Sequence, residues 1–217
     1  MLSEEKKNRI KVKLKDWLYG KFDEIQEVDP VSLLPNPFLL RVLGIKENTI
    51  EAYEFRIRQR LERKLVTSFG SIFQEVLKML DKEAKIEDID LVFKKNGKIH
   101  YVQLKSGPQG FTRPALRKTK QTFEKLKKQD PTCVTVIGFA YGSNKDLSPI
   151  WGQEAKKSAD MLLAGKELWD YFLGEGAYEE ILSVFEEAGN EVVKEKTGGI
   201  NGLYETFIKM LLSKIKS

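Results

Sequence analysis

Residues 88–107 read Asp-Ile-Asp-Leu-Val-Phe-Lys-Lys-Asn-Gly-Lys-Ile-His-Tyr-Val-Gln-Leu-Lys-Ser-Gly, and this stretch predicts a β-hairpin. Asn96-Gly97 marks the turn, because both residue types tolerate the positive φ of a two-residue type I′ loop. A loop of that length pairs Lys95 with Lys98 and thereby fixes the register of both strands. The facing partner of every strand residue follows from this register.

The alternation of side chains along the strands separates a polar end from an apolar face. In this register Asp90 lies opposite Gln103, and Asp88 lies opposite Lys105. One face carries Asp88, Asp90, Val92, Tyr101, Gln103 and Lys105. The other face is an almost unbroken apolar stripe of Ile89, Leu91, Phe93, His100, Val102 and Leu104. Two carboxylates, an amide and an amine at one end of a half-buried hairpin are groups suited to holding a divalent metal beside a phosphate.

The single histidine and the single cysteine narrow the range of chemistry. His100 falls on the apolar face, which favours a packed core histidine over a ligand. Cys133 begins an apolar run and is interpreted as a buried structural thiol. These counts exclude an internal disulfide and a multi-cysteine zinc site, and they argue against a His-based nuclease or a Cys–His hydrolase. The sequence contains no Walker loop and no GxGxxG motif.

The bulk composition predicts a folded protein. The 217 residues are 41% hydrophobic and 32% charged, which is more apolar than a disordered chain. We expect one domain made of an N-terminal helical region (1–66), a core (67–152) and a C-terminal helical region (153–217). The N-terminus lacks the apolar core of a signal peptide, and no apolar run approaches the roughly 18 residues of a membrane span, so a cytoplasmic location is expected.

The positive charge is concentrated in one segment. Residues 94–128 contain 11 Lys or Arg and one acid, Glu124, whereas the whole chain carries a net charge of +5. A basic block that begins at the hairpin turn indicates a polyanionic partner for this part of the molecule. A solvated surface without a partner is the alternative explanation for such a run.

The pattern along the chain predicts an α+β fold. Helices are predicted at 4–19 and from 49, followed by a break near Phe69-Gly70 and a new helix that begins at Ser71. After the hairpin come a basic helix at 114–129, a buried strand at 132–141 and a loop at 142–152. Everything beyond residue 153 reads as helical. The order helix–strand–strand–helix–strand, flanked by helices, predicts a small mixed sheet.

One set of residues resembles a known nuclease superfamily. Glu75 in a helix, Asp90 in Ile-Asp-Leu, and Gln103-Leu104-Lys105 in Tyr-Val-Gln-Leu-Lys-Ser-Gly-Pro resemble the PD-(D/E)xK nucleases, and type II restriction endonucleases within them. The resemblance covers about residues 70–140. It implies a restriction-endonuclease-like α/β/α core.

The resemblance also implies roles for these residues. Asp90 is the expected metal ligand, Lys105 the catalytic lysine and Glu75 a helix carboxylate. Mg²⁺, with Mn²⁺ as a substitute, is expected to be held by Asp90 with Glu75 or Gln103 and the Leu104 carbonyl. The family pattern has an acid at position 103, so the neutral Gln103 removes one negative charge from the site. Asp88 is interpreted as an ion-pair or strand-entry residue.

The implied function is metal-dependent hydrolysis of double-stranded DNA at a short specific site by a homodimer built through the N- or C-terminal helices. The expected phosphate contacts are Arg113, Arg117, Lys118 and Lys120, and the expected base contacts are Gln109, Asn144 and Lys145. A structure-specific repair or junction-resolving nuclease is one alternative. A noncatalytic DNA-binding module of the same fold is another.

Overall fold

A computed structural model describes residues 2–80, 89–108, 110, 112–147, 149–199 and 202–216. Within them the chain forms α-helices, a short 3₁₀ helix at Pro30–Leu33 and a four-stranded sheet. The helices are α1 (Glu4–Gln26), α2 (Pro37–Leu43), α3 (Ile50–Leu80), α4 (Arg113–Gln129), α5 (Pro149–Lys156), α6 (Lys166–Leu173), α7 (Ala177–Thr197) and α8 (Leu203–Lys216). The strands are β1 (Leu91–Lys95), β2 (Lys98–Lys105), β3 (Val134–Phe139) and β4 (Met161–Ala164). The predicted α+β class is confirmed.

The hairpin has the predicted turn and register. Asn96 and Gly97 have φ values of 52° and 74°, as a type I′ turn requires. β1 and β2 pair antiparallel from Leu91 opposite Val102 to Lys95 opposite Lys98. β2, β3 and β4 then run parallel in the order β1-β2-β3-β4, so the sheet is mixed.

The hairpin is buried on both faces, which corrects the prediction of a half-buried ribbon. Val92 and Tyr101, on the face expected to be open, are only 9% and 8% exposed. They belong to an apolar cluster with residues of α4, since β2 is an interior strand whose two faces are both covered. Asp90, Gln103 and Lys105 are partly exposed. The polar end of the hairpin is therefore open to solvent while its middle is core.

The long helix α3 differs from the predicted helix–break–helix. Gly70 lies inside a continuous helix, and the expected N-cap Ser71 is an interior position. Glycine weakens a helix by only about 1 kcal/mol, which tertiary packing easily offsets. A Cβ at Gly70 would meet Ser106 at 3.7 Å, so the backbone of α3 passes close to the end of β2.

The segment after residue 142 also differs from the prediction. α5 begins at Pro149, inside the stretch expected to be a loop, and β4 lies in the stretch expected to be wholly helical. Asp160 ties the start of β4 to β3, because its carboxylate accepts hydrogen bonds from the Thr135 backbone N–H (2.8 Å) and hydroxyl (2.9 Å). Lys127 of α4 pairs with the same carboxylate at 2.7 Å. These bonds hold the pKa of Asp160 below its ordinary value, outweighing the raising effect of burial.

The chain divides into two compact units. The sheet unit comprises Met1–Ile10 and Phe69–Ser183, and it contains the whole sheet of the described residues. One face of the sheet packs on α4 and α5 through Val92, Ile137, Leu116, Phe123 and Ala155, among others. On the other face Phe93 stacks on Phe172 of α6 at 4.4 Å between ring centroids, and the Gly138 backbone abuts Leu168. This unit thus has the α/β/α layering expected of a restriction-endonuclease-like core.

The helical unit comprises Lys11–Ser68 and Val184–Ser217. Its core is an apolar cluster supplied by α1, α3, α7 and α8: Leu18, Phe22, Ile57, Leu61, Val192 and Phe207 are representative. Lysines of α1 face glutamates of α7 along its surface, with Lys15 paired to both Glu191 (3.1 Å) and Glu195 (2.8 Å). The assignment of the whole chain to one domain stays a prediction.

No helix in the described ranges is both long and apolar enough to cross a membrane.

Candidate active site

The fold brings the polar ends of β1 and β2 to one edge of the sheet. Asp90 directly precedes β1, and Lys105 is the last residue of β2. Because the two strands are antiparallel, the start of one lies beside the end of the other. The carboxyl ends of parallel strands are also where open α/β sheets bind ligands. The predicted partners Asp90, Gln103 and Lys105 therefore meet at a position suited to a site.

Asp90 is held by three hydrogen-bond donors. Its Oδ1 accepts from Gln74 Nε2 of α3 at 2.9 Å. Its Oδ2 accepts from the Leu104 backbone N–H at 2.8 Å and from Gln103 Nε2. Together with the backbone bond from Asp90 N–H to the Val102 carbonyl (3.1 Å), these contacts fix both the position and the orientation of the carboxylate.

The carbonyl of Leu104 faces the Asp90 edge of β2. Along an extended strand the N–H and C=O of one residue point to the same side, and the side alternates with each residue. The Val102 carbonyl accepts from the Asp90 N–H, and the Leu104 N–H donates to the Asp90 carboxylate. The Lys105 carbonyl instead accepts from the Ala140 N–H, just beyond β3, at 2.9 Å. The Leu104 carbonyl thus belongs to the Asp90 side, consistent with the predicted oxygen ligand.

A cleft of about 370 Å³ opens over this edge. Asp90, Gln103 and Lys105 line it together with Lys118 of α4. The neutral lining comes from Ile89, Ala115, Thr119 and Thr122. We call this candidate active site the catalytic cleft. It places one carboxylate, one amide and two ammonium groups around a space that a phosphodiester can enter.

Glu75 and its neighbour Gln74 differ in their contacts. The carboxylate of Glu75 bonds Lys78 on the next turn of α3 at 3.3 Å, while Gln74 contacts Asp90. In the part of the chain that the structure describes, no three His, Cys, Asp or Glu side chains come together as a metal-binding group. The metal-ligand role of Glu75 stays a prediction. Asp88 lies outside the described residues.

The predicted phosphate contacts lie on α4. Lys118 enters the catalytic cleft, whereas Arg113, Arg117 and Lys120 line a neighbouring cleft of about 430 Å³ together with Lys157 of the loop after α5. All four predicted side chains are exposed, as contact with a polyanion requires. α4 therefore presents a basic surface that is continuous with the polar end of the hairpin.

The three predicted base contacts lie in different environments. Gln109 lies outside the described residues. Asn144 is engaged within the protein: its Nδ2 donates to Glu167 (2.9 Å) and to the Leu162 carbonyl (3.3 Å) of β4. Lys145 beside it is exposed. The contacts of Asn144 indicate that it secures the loop before α5, and its role in base recognition stays a prediction.

His100 and Cys133 belong to the core, as their sequence context indicates. His100 is 3% exposed, with Nδ1 next to the Lys98 carbonyl (3.2 Å) and Nε2 next to the Tyr171 hydroxyl (3.0 Å). A neutral imidazole satisfies both contacts, and burial holds the pKa of His100 below its ordinary value. Cys133 is 1% exposed, and burial raises the pKa of its thiol. Neither residue lines the catalytic cleft.

Gln74 is the site residue that the sequence does not reveal. Motif reasoning selects the carboxylate of Glu75, because acids are the usual metal ligands of the family that the sequence resembles. Adjacent helix residues differ by about 100° in direction, so only the packing of α3 against the hairpin decides which side chain reaches Asp90. The amide at 74, placed on the same helix turn, carries no distinctive sequence signal.

Comparison with known proteins agrees with this geometry. Residues 4–193 match the family described as type II restriction endonuclease EcoO109I, which is most of the chain. Curated proteins give no match. The family match confirms the resemblance to PD-(D/E)xK restriction enzymes. The chain therefore belongs to the type II restriction endonuclease EcoO109I family and is a site-specific deoxyribonuclease.

Proposed function

We propose that the catalytic cleft hydrolyses phosphodiester bonds of double-stranded DNA in a Mg²⁺-dependent reaction at a short specific site. The observation that carries the proposal is the convergence of Asp90, Gln103, Lys105 and Lys118 on one cleft at the sheet edge. A carboxylate beside two ammonium groups suits a reaction in which a metal-bound phosphate gains negative charge. Family membership supplies DNA as the substrate.

The donor set fits a hard divalent cation. Mg²⁺ prefers oxygen ligands and keeps several waters. The Asp90 carboxylate and the Leu104 carbonyl would hold it, with the Gln103 carbonyl oxygen after a half-turn of the amide that now donates to Asp90. A bound Mg²⁺ would supply charge neutralisation at the phosphate and a more acidic water. Mn²⁺, which accepts similar ligands, is expected to substitute.

The protein's own groups position the substrate and the nucleophile. Lys105, two residues beyond Gln103 on the same strand face, would orient the attacking water and stabilise charge on the scissile phosphate. Lys118 would hold a neighbouring phosphate in the same cleft. Arg113, Arg117 and Lys120 would carry the adjoining backbone along α4. Attack of water at phosphorus in line with the 3′ oxygen leaves 5′-phosphate and 3′-hydroxyl ends.

The test of this function is digestion of phage DNA by the purified protein with Mg²⁺, with Mn²⁺ and with EDTA. We expect discrete, reproducible fragments with either metal and intact DNA with EDTA. Cleavage confined to branched or damaged substrates would instead identify a structure-specific nuclease. DNA binding without cleavage under any of these conditions would identify a noncatalytic module of the same fold.

We also propose that the enzyme acts as a homodimer, because cutting both strands of a duplex at one site calls for two catalytic clefts. The helical unit exposes a run of large apolar side chains between residues 31 and 50: Val31, Leu34, Phe38, Leu39, Val42, Leu43 and Ile50. Phe38 and Val42, one helix turn apart on α2, are 80% and 83% exposed. At ordinary side-chain areas this run presents on the order of 600 Å², approaching the roughly 800 Å² that each partner of a standard interface buries.

Sedimentation equilibrium tests the dimer. We expect twice the chain mass for the wild type and a shift to monomer for Phe38→Asp/Val42→Asp, because two buried carboxylates oppose association. A circular dichroism spectrum equal to that of the wild type controls for folding, since both side chains are exposed. A wild type that sediments as a monomer, or a variant that remains a dimer, would contradict this interface.

A further inference from the structure

The helical unit contains a large cleft of its own, about 1000 Å³ in volume. It is formed by residues of α1 and α3 within 21–68. Its lining is dominated by cationic side chains: Lys21, Arg56, Arg60, Arg63 and Lys64. Glu62 is the acid on the lining. We call it the arginine cleft, and the function described above makes no use of it.

The cations of α3 lie along one stripe of the helix. Arg56, Arg60 and Arg63 recur at intervals of four and three residues, which places them on the same face. Ile57 and Leu61, on an adjoining face, are buried in the core of the helical unit. From Arg56 to Arg63 the stripe extends about 10 Å along the helix axis. That length corresponds to about three nucleotide steps along a duplex, so the stripe matches a linear polyanion better than a single small anion.

Part of the charge in the arginine cleft is already compensated. Glu24 of α1 bonds Lys21 and Lys64, each at 2.7 Å, and these two ammonium groups hold the pKa of its carboxyl below the ordinary value. Counted with Glu62, the acids still leave an excess of positive charge along the stripe. The uncompensated part is supplied mainly by the arginines.

Arg56 has hydrogen-bonding capacity that the protein does not use. Its Nε is buried, and the described residues offer it no hydrogen-bond partner. A buried guanidinium N–H without an acceptor is costly, so a turn of the Arg56 side chain that brings Nε to a phosphate oxygen would relieve this cost. By contrast Arg60 donates through Nη1 to the Ser32 carbonyl at 3.0 Å, which fixes it to the wall of the cleft. Arg56, which lines the cleft and is partly exposed, and the exposed Arg63 are therefore the groups available to a ligand.

We propose that the arginine cleft binds the sugar–phosphate backbone of duplex DNA, as a second contact surface of the enzyme in addition to the catalytic cleft. Arg56 and Arg63 contact phosphates about three nucleotide steps apart, and Arg60 supplies positive potential between them. The contact is independent of base sequence, and it adds to the affinity and the salt dependence of DNA binding. The inference rests on the proposed function in that DNA is the polyanion the enzyme meets.

The test is DNA binding without catalysis. A fluorescent 40-base-pair duplex is titrated with the wild type, with Arg63→Gln and with Arg56→Gln/Arg63→Gln in EDTA over a series of NaCl concentrations. For the double variant we expect affinity to fall about tenfold or more at 0.1 M NaCl, and the slope of log Kd against log salt to fall by about 1.8, because each lost phosphate contact contributes about 0.9. Arg63→Gln alone should lower the slope by about half as much.

Arg58→Gln is the matched control. It removes the same charge from the same helix, but Arg58 pairs with Glu205 at 3.4 Å and is not part of the cleft lining. We expect its affinity to stay within about twofold of the wild type. If the double variant binds the duplex like Arg58→Gln and with the wild-type slope, the inference is wrong. Inorganic phosphate that raises the melting temperature of the wild type but not of the double variant, with duplex affinity unchanged, would also overturn it in favour of a free-anion site.

Cleavage assays separate this inference from the proposed function. If the wild type cuts DNA into discrete fragments and the arginine-cleft variants bind DNA as the wild type does, only the proposed role of the arginine cleft is wrong. If the arginine-cleft variants bind DNA more weakly but the wild type cuts no DNA with Mg²⁺, the role of the arginine cleft is supported and the proposed catalysis is wrong.

Discussion

Asp90→Asn is expected to lower the rate of DNA cleavage by about 10³-fold or more while the protein stays folded. Asp90 is the carboxylate on the described lining of the catalytic cleft, and the substitution removes its charge without changing its size. Loss of a group that holds the metal, or that balances charge at the phosphate, typically costs at least 10²–10³-fold in rate. Single-turnover cleavage of a plasmid with Mg²⁺, at protein concentrations that saturate binding, measures the effect on chemistry rather than on affinity.

The choice of asparagine over alanine follows from the contacts of Asp90. Motif reasoning alone predicts that Asp90→Ala abolishes cleavage and spares folding. The structure changes the second half of that expectation, because alanine would leave the donors Gln74, Gln103 and the Leu104 N–H without their acceptor. A buried donor without a partner costs about 1–3 kcal/mol. Asparagine keeps one acceptor oxygen, so its melting temperature should lie above that of the alanine variant. Cleavage by Asp90→Asn at the wild-type rate would show that Asp90 does not have the assigned role.

The hairpin could be predicted from the sequence because its determinants are local. Asn96-Gly97 specifies the turn, the turn specifies the register, and the register places Asp90 beside Gln103. The same argument could not show that Val92 and Tyr101 are buried, since this depends on α4, which packs from a distant part of the chain. Local chemistry thus gave the pairing of the site residues, and tertiary packing decided which end of the hairpin remains open.

The features that sequence reasoning predicts wrongly or misses also depend on tertiary packing. A glycine and a serine within α3 read as a helix end, yet packing stabilises the helix through Gly70. β4 has four residues, too few for an alternating pattern to stand out beside the neighbouring helices. The contact of Gln74 with Asp90 depends on the rotational setting of α3 about its axis, which no local pattern specifies. The arginines of α3 could be seen as charge, but their common cleft exists only after α1 and α3 have packed within the helical unit.

Gln103→Glu is expected to destabilise the metal-free protein and to make its stability strongly dependent on Mg²⁺. The substitution replaces a donor to Asp90 Oδ2 with a second carboxylate beside it. Losing that bond and placing like charges in contact costs about 1–3 kcal/mol. A chain of this length loses about 2–4 °C in melting temperature per kcal/mol. In EDTA, a thermal melt should therefore show a decrease of several degrees relative to the wild type.

Mg²⁺ should reverse this loss if the cation binds between Asp90, Gln103 and the Leu104 carbonyl. A second carboxylate strengthens cation binding, and a ligand that binds only the folded state raises its melting temperature. We expect the difference from the wild type to shrink or reverse at 10 mM Mg²⁺, and half-maximal cleavage to need about tenfold less Mg²⁺, in line with the effect of added ligand charge. Lowering the pH in EDTA should also restore stability, because a single shared proton removes the repulsion.

Gln74→Glu is the matched control for the position of the metal. It introduces the same charge next to the same carboxylate, but on the Oδ1 side rather than the Oδ2 side. Both variants should melt below the wild type in EDTA, since each replaces a donor with an acceptor. Only Gln103→Glu should recover fully with Mg²⁺, because Oδ2 is the oxygen that shares its side of the strand with the Leu104 carbonyl. Equal recovery of both variants would place the cation on both carboxylate oxygens, and full recovery of Gln74→Glu alone would move it to the α3 side of Asp90.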